Sequence, residues 1–462
     1  MNQSIKGIVL SLAGLVLFFG SLQAQTDTAA VLKKISDDVF TNGKSYINLR
    51  FLCKQVGQRL SGSHGAAKAV VETARMLREA GADTVYLQEC MVPHWVRGAK
   101  EVATLELGKG KTYNLKVAAL GNSVGTPGSG IKAQVIEVKS FDELNKLGEA
   151  GVKGKIVFYN YPMNPTYINA FRAYGEAGVY RGRGPSMAAK YGAIGVITRT
   201  LSPNLDDYPH TGSTVYNDSF PKLPAVAVST NDAEYLSKAL ASGPKEVYIK
   251  TNCRSLPDTV SYNVVGEIRG SEFPNEVLTV GGHLDSWDLA EGAHDDGAGC
   301  VQSIEVIRTF KSAGIRPKRT IRAVMFMNEE NGLRGGTKYA EIAVAEKEKK
   351  FIFALESDAG GFTPRGFGYT MNAQQGQKFA SWKNLFYPYG ASDFVPGGGG
   401  ADIGPLYRQL QTPLAGLNPD SQRYMALHHA TNDVFEEVSE RELKLGAIVM
   451  TQLMWLVSEY GL

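Results

Sequence analysis

Hydrophobic and polar positions along this chain change their rhythm twice. Residues 65–81 (GAAKAVVETARMLREAG) carry apolar side chains at helical spacing and stop at Gly81, which predicts a helix. Residues 83–88 then alternate as a strand, and 91–98 (MVPHWVRG) read as a connection out of this first layer. Over 112–255 the texture shifts to short apolar runs at 134–138, 155–159, 195–198 and 225–228, set between Gly/Pro turns with one helix at 185–192. Further on, buried-strand runs at 276–280, 321–327 and 351–355 alternate with helices at 297–312 and 336–348, and an amphipathic helix at 440–460 closes the chain. Strand–helix–strand alternation predicts an α/β fold, a mostly parallel mixed sheet sandwiched by helices. The segment 112–255 then reads as a β-rich accessory domain inserted between 25–111 and 256–462.

A length of 462 residues fits two or three units rather than one core. With 43% hydrophobic and 21% charged residues, and a formal charge of +3, the composition is that of a globular protein without a nucleic-acid footprint. Lys6 followed by an apolar run over 8–22 predicts a signal peptide over 1–24, cut after Ala24, although Leu22 departs from the small-x-small rule. No later stretch is apolar enough to span a bilayer, so an exported, periplasmic or extracellular protein is expected. Cys53, Cys90, Cys253 and Cys300 form no CxxC pair, which removes the usual thiolate zinc site and leaves disulfide pairing open.

Chemistry concentrates in the later part of the chain. His283, Asp295, Glu330, Asp358 and His429 stand in GGHLDSWD, GAHDDGAG, FMNEENGLRGG, ESDAGG and HHATND. Two imidazoles and three carboxylates suit a pair of divalent zinc-like ions, with one carboxylate shared and Glu329 spare to take a proton from water. His283 and Asp285 follow the 276–280 run, Glu329 and Glu330 the 321–327 run, and Asp358 the 351–355 run. That is the carboxyl edge of the expected sheet, where the working residues of open α/β folds gather. An acidic pair such as Glu329–Glu330 is ordinarily a surface loop, and only the ordered set makes it specific. His294 is expected in a loop role beside Asp295, and His64, His94 and His210 as hydrogen-bonded structural residues. The GxSxG text at 121–125 runs into TPGSG, turn text rather than the helix a nucleophile elbow needs.

With these motifs in view, the chain resembles the co-catalytic zinc peptidases of family M28, nearest the carboxypeptidase Q group. RLSGS at 59–63 and VPHWVRG at 92–98 are similar to that group's N-terminal text, and GKIVF, AAKYGAIGVI and LPAVAVS are similar to a protease-associated domain. The resemblance implies two zinc ions per subunit, Asp295 bridging them through a cis peptide to Asp296, His283 and Asp358 completing one ion, and Glu330 and His429 the other. It implies Glu329 as general base, Asp285 holding the His283 tautomer, and His428 beside the last ligand supporting the oxyanion. Small peptides are the implied substrates and a homodimer the implied assembly. Asp296, Glu291 and Asp402 are candidates for gripping a substrate amine.

Rival readings are weaker. An M20-type peptidase would need a separate domain between late ligands, for which the gap from Asp358 to His429 is too short. A one-zinc acyltransferase resembling glutaminyl cyclase is disfavoured by Glu329 and the full ligand set. A non-catalytic, peptidase-like binding ectodomain would have lost ligands, and this chain retains all of them.

Overall fold

The computed structural model describes residues 28–462; the signal peptide expected over 1–24 lies outside them. Two eight-stranded sheets organise the described chain. The first runs, edge to edge, Thr84–Val96, Arg254–Ile268, Arg319–Phe326, Phe273–His283, Lys350–Glu356, Leu414–Pro419, Pro364–Thr370 and Asp393–Pro396. Its four central strands, from Arg319–Phe326 to Leu414–Pro419, are mutually parallel, and the flanking pairs include antiparallel ones. Alternation along each strand feeds two cores. Ile321, Ala323 and Met325 face the helices His64–Glu79, Ala298–Ser312 and Glu440–Tyr460, whereas Val324 and Phe326 face Arg334–Ala345 and Gly404–Leu410. Each large apolar side chain removed from water here contributes about 1.5–3 kcal/mol before entropy is counted.

The expected helix at 65–81 forms as His64–Glu79, with the Ser63 side chain accepting from the Ala66 N–H as N-cap and Gly81 at φ 89° after its end. The expected connection at 91–98 is instead the continuation of the first strand, which runs to Val96. Pro93 cannot donate to a ladder, and the register slips between Val92 and His94 to accommodate it on this edge strand. The closing helix falls at Glu440–Tyr460 as expected, yet residues 446–458 are buried on every side rather than along one stripe. Its outer face is covered by the helix at 28–42, where Gln452 donates to the Leu32 carbonyl and Val39 packs on Ala447 and Ile448.

The second sheet runs Lys111–Leu115, Val102–Gly108, Glu246–Lys250, Ile131–Val138, Ile156–Tyr159, Gly195–Arg199, Ala225–Val228 and Val117–Ala119. Its strand Val102–Gly108 precedes the 112–255 span. Four of its strands, Ile131–Val138 through Ala225–Val228, are parallel. Parallel neighbours need crossovers, and besides the expected helix, seen at Gly184–Ala189, the unit holds Phe141–Val152, Ala170–Gly182 and Thr230–Ala241. Ser140, Asn169 and Ser229 cap these three, a signal present in the sequence but masked by glycines inside the first two. Helix Ala170–Gly182 lies against the first unit: Ala170, Ala173 and Ala177 share an apolar cluster with Phe362, Tyr424, Met425 and Leu427.

Candidate metal centre

The carboxyl ends of the central parallel strands converge on one spot. His283 is the last residue of Phe273–His283, Glu329 and Glu330 follow Arg319–Phe326, and Asp358 follows Lys350–Glu356. Asp295 arrives on the turn before helix Ala298–Ser312, with a cis peptide to Asp296, and His429 arrives from the loop after Leu414–Pro419. The expected five are thus brought together. Nε2 of His283 lies 3.2 Å from Asp295 Oδ1 and 3.3 Å from Asp358 Oδ1. Nε2 of His429 lies 3.3 Å from Asp295 Oδ2 and 3.1 Å from Glu330 Oε2. Each oxygen of Asp295 therefore faces a different imidazole–carboxylate pair.

This donor set fits divalent ions. Asp295 Oδ2 is buried without a hydrogen-bond partner although two imidazoles surround it. The donor atoms of His283, Asp295 and Asp358 lie within 4.8 Å of one another, as do those of Asp295, His428 and His429. The second grouping includes His428 and omits Glu330. We place Glu330 ahead of His428 there, because its oxygen is 3.1 Å from His429 Nε2 whereas His428 Nε2 stands 3.6 Å from Asp295.

Electrostatics in the absence of cations show the same demand. Burial, with Asp295 and Glu329 beside it, holds the Glu330 carboxyl well above its usual range. Burial and neighbouring carboxylates raise Glu329 to about 8. Burial opposes charge on His283, but Asp358 and Asp295 outweigh it and hold the imidazole well above its ordinary value. Burial likewise disfavours the Asp295 anion, yet His283 and His429 hold its carboxyl below the usual range. So many buried carboxyl groups in one place can all ionise only beside added positive charge.

The residues around this set do specific work. His283 Nδ1 meets the backbone carbonyl of Asp285 at 2.9 Å, whereas the Asp285 carboxylate is 3.9 Å away. Asp285, the residue expected to hold the tautomer, thus meets the ring through its main-chain carbonyl, which curls back from two residues on, and not through its carboxylate. The Asp285 carboxylate instead accepts from the N–H groups of Asn328 at 2.7 Å and Glu329 at 3.0 Å, pinning the turn that presents Glu329. The Glu329 side chain is partly exposed and makes no hydrogen bond among the described residues. His428 stacks on His429 with centroids 3.5 Å apart, and burial lowers its pKa to about 4, leaving the ring neutral. His294 is a loop residue as expected: its Nδ1 accepts from Gly361 N–H, and its ring stacks on Phe362 at 4.1 Å.

The candidates for an amine grip are closed off. Asp296 is fully buried and accepts from the backbone N–H groups of His283 and Gly299, Glu291 pairs with Lys54, and Asp402 is 0% exposed. Ser123 of the GxSxG text is buried in a loop, accepting from Ala225 N–H. All four cysteines are free, and Cys300 donates to the His283 carbonyl.

Four supporting residues are not singled out by the sequence. Asp433 accepts from the N–H groups of His294 at 2.8 Å and Asp295 at 3.1 Å, and its place four residues after His429 was the available signal. Arg59, 0% exposed, donates to the carbonyls of Leu284 and Gly292 and so shapes the loop after His283. Thr211 and Ser213 of the second unit bind the His429 and Glu330 carbonyls through backbone N–H and Oγ, at 3.0 and 2.7 Å.

Residues 263–454 match the model of "Peptidase family M28". Carboxypeptidase Q of Xenopus laevis is 37% identical over 432 residues, covering 91% of this chain and 88% of that protein. Carboxypeptidase Q of Mus musculus is 34% identical over 417 residues, covering 90% and 86%. The chain belongs to peptidase family M28. As an M28 member with these relatives, it is a metallo-exopeptidase. The crystal structure of an M28 peptidase precursor from Shewanella amazonensis superposes with a TM-score of 0.88 at 28% identity, covering 94% of this chain and 97% of the other. A zinc aminopeptidase of Bacillus subtilis shares the fold, with a TM-score of 0.64 at 18% identity over 89% and 94% of the two chains.

Proposed function

We propose that this M28 enzyme is an exported, dinuclear zinc exopeptidase acting on dipeptides or short peptides near a free terminus. The observation that carries the reading is the split allegiance of Asp295, whose oxygens face His283 with Asp358 on one side and His429 with Glu330 on the other. His283 and Asp358 would hold one ion, Glu330 and His429 the second, and Asp295 both. Zinc, when bound, supplies a Lewis acid and lowers the pKa of water towards neutrality.

The chain's own groups supply the rest. Glu329 takes the proton of the attacking water and delivers it to the leaving amine, a role open to a carboxylate that stands beside Glu330, is partly exposed and has no competing hydrogen bond among the described residues. His428, neutral and 3.6 Å from Asp295, donates to the developing oxyanion. The second-sheet unit is assigned as the protease-associated insert. Among the described residues no helix is long and apolar enough to cross a membrane.

Glu329→Gln is the direct test. It should retain about two zinc per chain while losing on the order of 10²- to 10⁴-fold in kcat on a dipeptide. Parental turnover in that variant removes Glu329 as base. A wild-type protein that takes up no divalent ion and cleaves no peptide would instead be a binding ectodomain.

A further inference from the structure

Arg97 of VPHWVRG and Asp288 of GGHLDSWD take no part in the proposed chemistry, yet the fold joins them. Arg97 lies where the chain leaves strand Thr84–Val96 for the second unit, and Asp288 stands in the loop after His283. Arg97 Nε donates to Asp288 Oδ1 at 3.0 Å and Oδ2 at 2.9 Å, and Nη2 donates to Oδ1 at 2.6 Å. Nη1 donates to Glu101 Oε1 at 3.0 Å and to the Ala119 carbonyl at 2.6 Å, while Nη2 also reaches Thr211 Oγ1 at 3.4 Å. Every N–H of this buried guanidinium has an acceptor, so its plane cannot turn without breaking a bond. Ala119 and Thr211 belong to the second unit and Asp288 to the first, which makes Arg97 a clamp across the junction.

Two short paths lead from this clamp to one pair of ligands. Along the first, Trp287, next to Asp288, donates its backbone N–H to Glu330 Oε1 at 3.2 Å, which leaves Oε2 facing His429 Nε2 at 3.1 Å. The Trp287 indole meets the His429 ring edge-on, with centroids 5.8 Å apart, and meets Trp95 at 6.2 Å. A Cβ at Gly121 of the second unit would collide with that indole, so the two units close directly on it. Along the second path, the Thr211 hydroxyl donates to the Ala119 carbonyl at 2.8 Å and the Thr211 N–H to the His429 carbonyl at 3.0 Å. The Thr211 carbonyl lies 3.4 Å from His429 Nδ1, a placement that keeps the proton on Nδ1 and leaves Nε2 free for an ion. Among the described residues, the bonds of Arg97, Asp288 and Glu101 reach neither His283 nor Asp358.

We infer that Arg97 is a positioning residue for one ion of the pair, the ion assigned to Glu330 and His429. A single buried guanidinium sets the carboxylate through Asp288 and Trp287, and the imidazole through Thr211. These two ligands are therefore aligned only while the two units are clamped together. Loosening the clamp weakens that ion and spares the one assigned to His283 and Asp358. The inference rests on the proposed dinuclear centre.

The test titrates zinc against a chelator on the full-length chain. The parent should bind about two equivalents, and Glu330→Gln identifies the one that Glu330 holds. Asp288→Asn should bind that equivalent on the order of 10-fold more weakly, as loss of a group behind a metal ligand does, with the other unchanged. Arg97→Lys should act alike, because an ammonium cannot fork between Asp288 and Thr211. Added to Glu330→Gln, Asp288→Asn should leave the remaining zinc as tightly held as in Glu330→Gln alone. In cobalt-loaded Asp288→Asn, only the visible absorption of the weaker equivalent should change. Equal weakening of both equivalents overturns the inference. Unchanged affinities overturn it too, and a lowered Tm of the metal-free variant would then make the clamp purely structural. If Asp288→Asn does not fold, Thr211→Val, which removes only the hydroxyl's bonds, carries the same expectation and the same refutation. Retention of both equivalents by Glu330→Gln would instead defeat the dinuclear assignment itself.

Discussion

At the scale of single residues, the centre separates groups that can face ions from groups that hold the backbone behind them. Asp285 belongs to the second kind, because its carboxylate accepts two N–H groups from the 328–329 turn while its carbonyl handles His283. Asp285→Ala should therefore keep zinc near wild-type content but lose about 2–4 kcal/mol of stability as the two donors go unpaired. It should also lower kcat on the order of 10-fold, through a displaced Glu329. Denaturant titration, metal analysis and steady-state kinetics on one preparation check all three. The metal-free protein offers a second test. Burial raises Glu356 and Asp433 to about 7, against about 4 for an unfolded carboxyl. The folded state then binds more protons than the unfolded one between those values, so stability falls as pH rises through about 7. His294 and His428, lowered to about 4 by burial, act oppositely, but only below an unfolded value of about 6.5. Between about pH 6.5 and 8 the carboxyls therefore set the sign. The Tm of chelator-treated protein should fall across that window, and zinc should flatten the curve.

Elements matter here through how closely they approach. Strand Phe273–His283 must let the turn carrying Asp295 and Asp296 lie against it, and Gly282 is the position that allows this. A Cβ there would stand 2.3 Å from Asp296 Oδ2 and 2.9 Å from the Gly299 carbonyl carbon. Gly282→Ala should cost about 1–3 kcal/mol by overpacking. Because Asp296 accepts from the His283 N–H, the variant should also shift the ligand beside it, seen as zinc lost to a chelator that wild type resists. Unchanged stability and unchanged metal retention would show that the strand and turn are free to separate. A comparable dependence joins the Asn328 side chain, which donates to Ser61, to the N-terminal segment well before the sheet's core strands.

At the scale of the whole molecule, the second unit acts as part of the centre rather than as an appendage. Thr211 and Ser213 hold the His429 and Glu330 backbones, and the cluster containing Leu201, Met425 and Leu427 ties the loop before His428 to helix Ala170–Gly182. Leu201, 3% exposed and remote in sequence from every ligand, isolates this coupling. Leu201→Ala should lose about 2–5 kcal/mol and leave a cavity under the loop. Of two zinc equivalents, the one assigned to Glu330 and His429 should then exchange faster in a chelator-competition assay. Equal exchange of both ions would mean that the His429 loop stands without the second unit.

Local text determined a good deal. Periodicity placed three of the four central strands, helices close to those seen at 64–79 and 298–312 and the closing helix, and ligand-bearing loops after successive strands located the centre at one sheet edge. These features depend on residues close in sequence, whose spacing is itself the physical cause. Tertiary structure decided what depends on distant neighbours: that Val92–Val96 pairs as an edge strand despite Pro93, that residues 446–458 are buried all round, and that the Asp285 carboxylate grips a turn some forty residues on. The packing of helix Ala170–Gly182 on the loop before His428 is the extreme case. Nothing within helix Ala170–Gly182 indicates which face meets the metal centre, because the packing of two separately formed sheets sets that face.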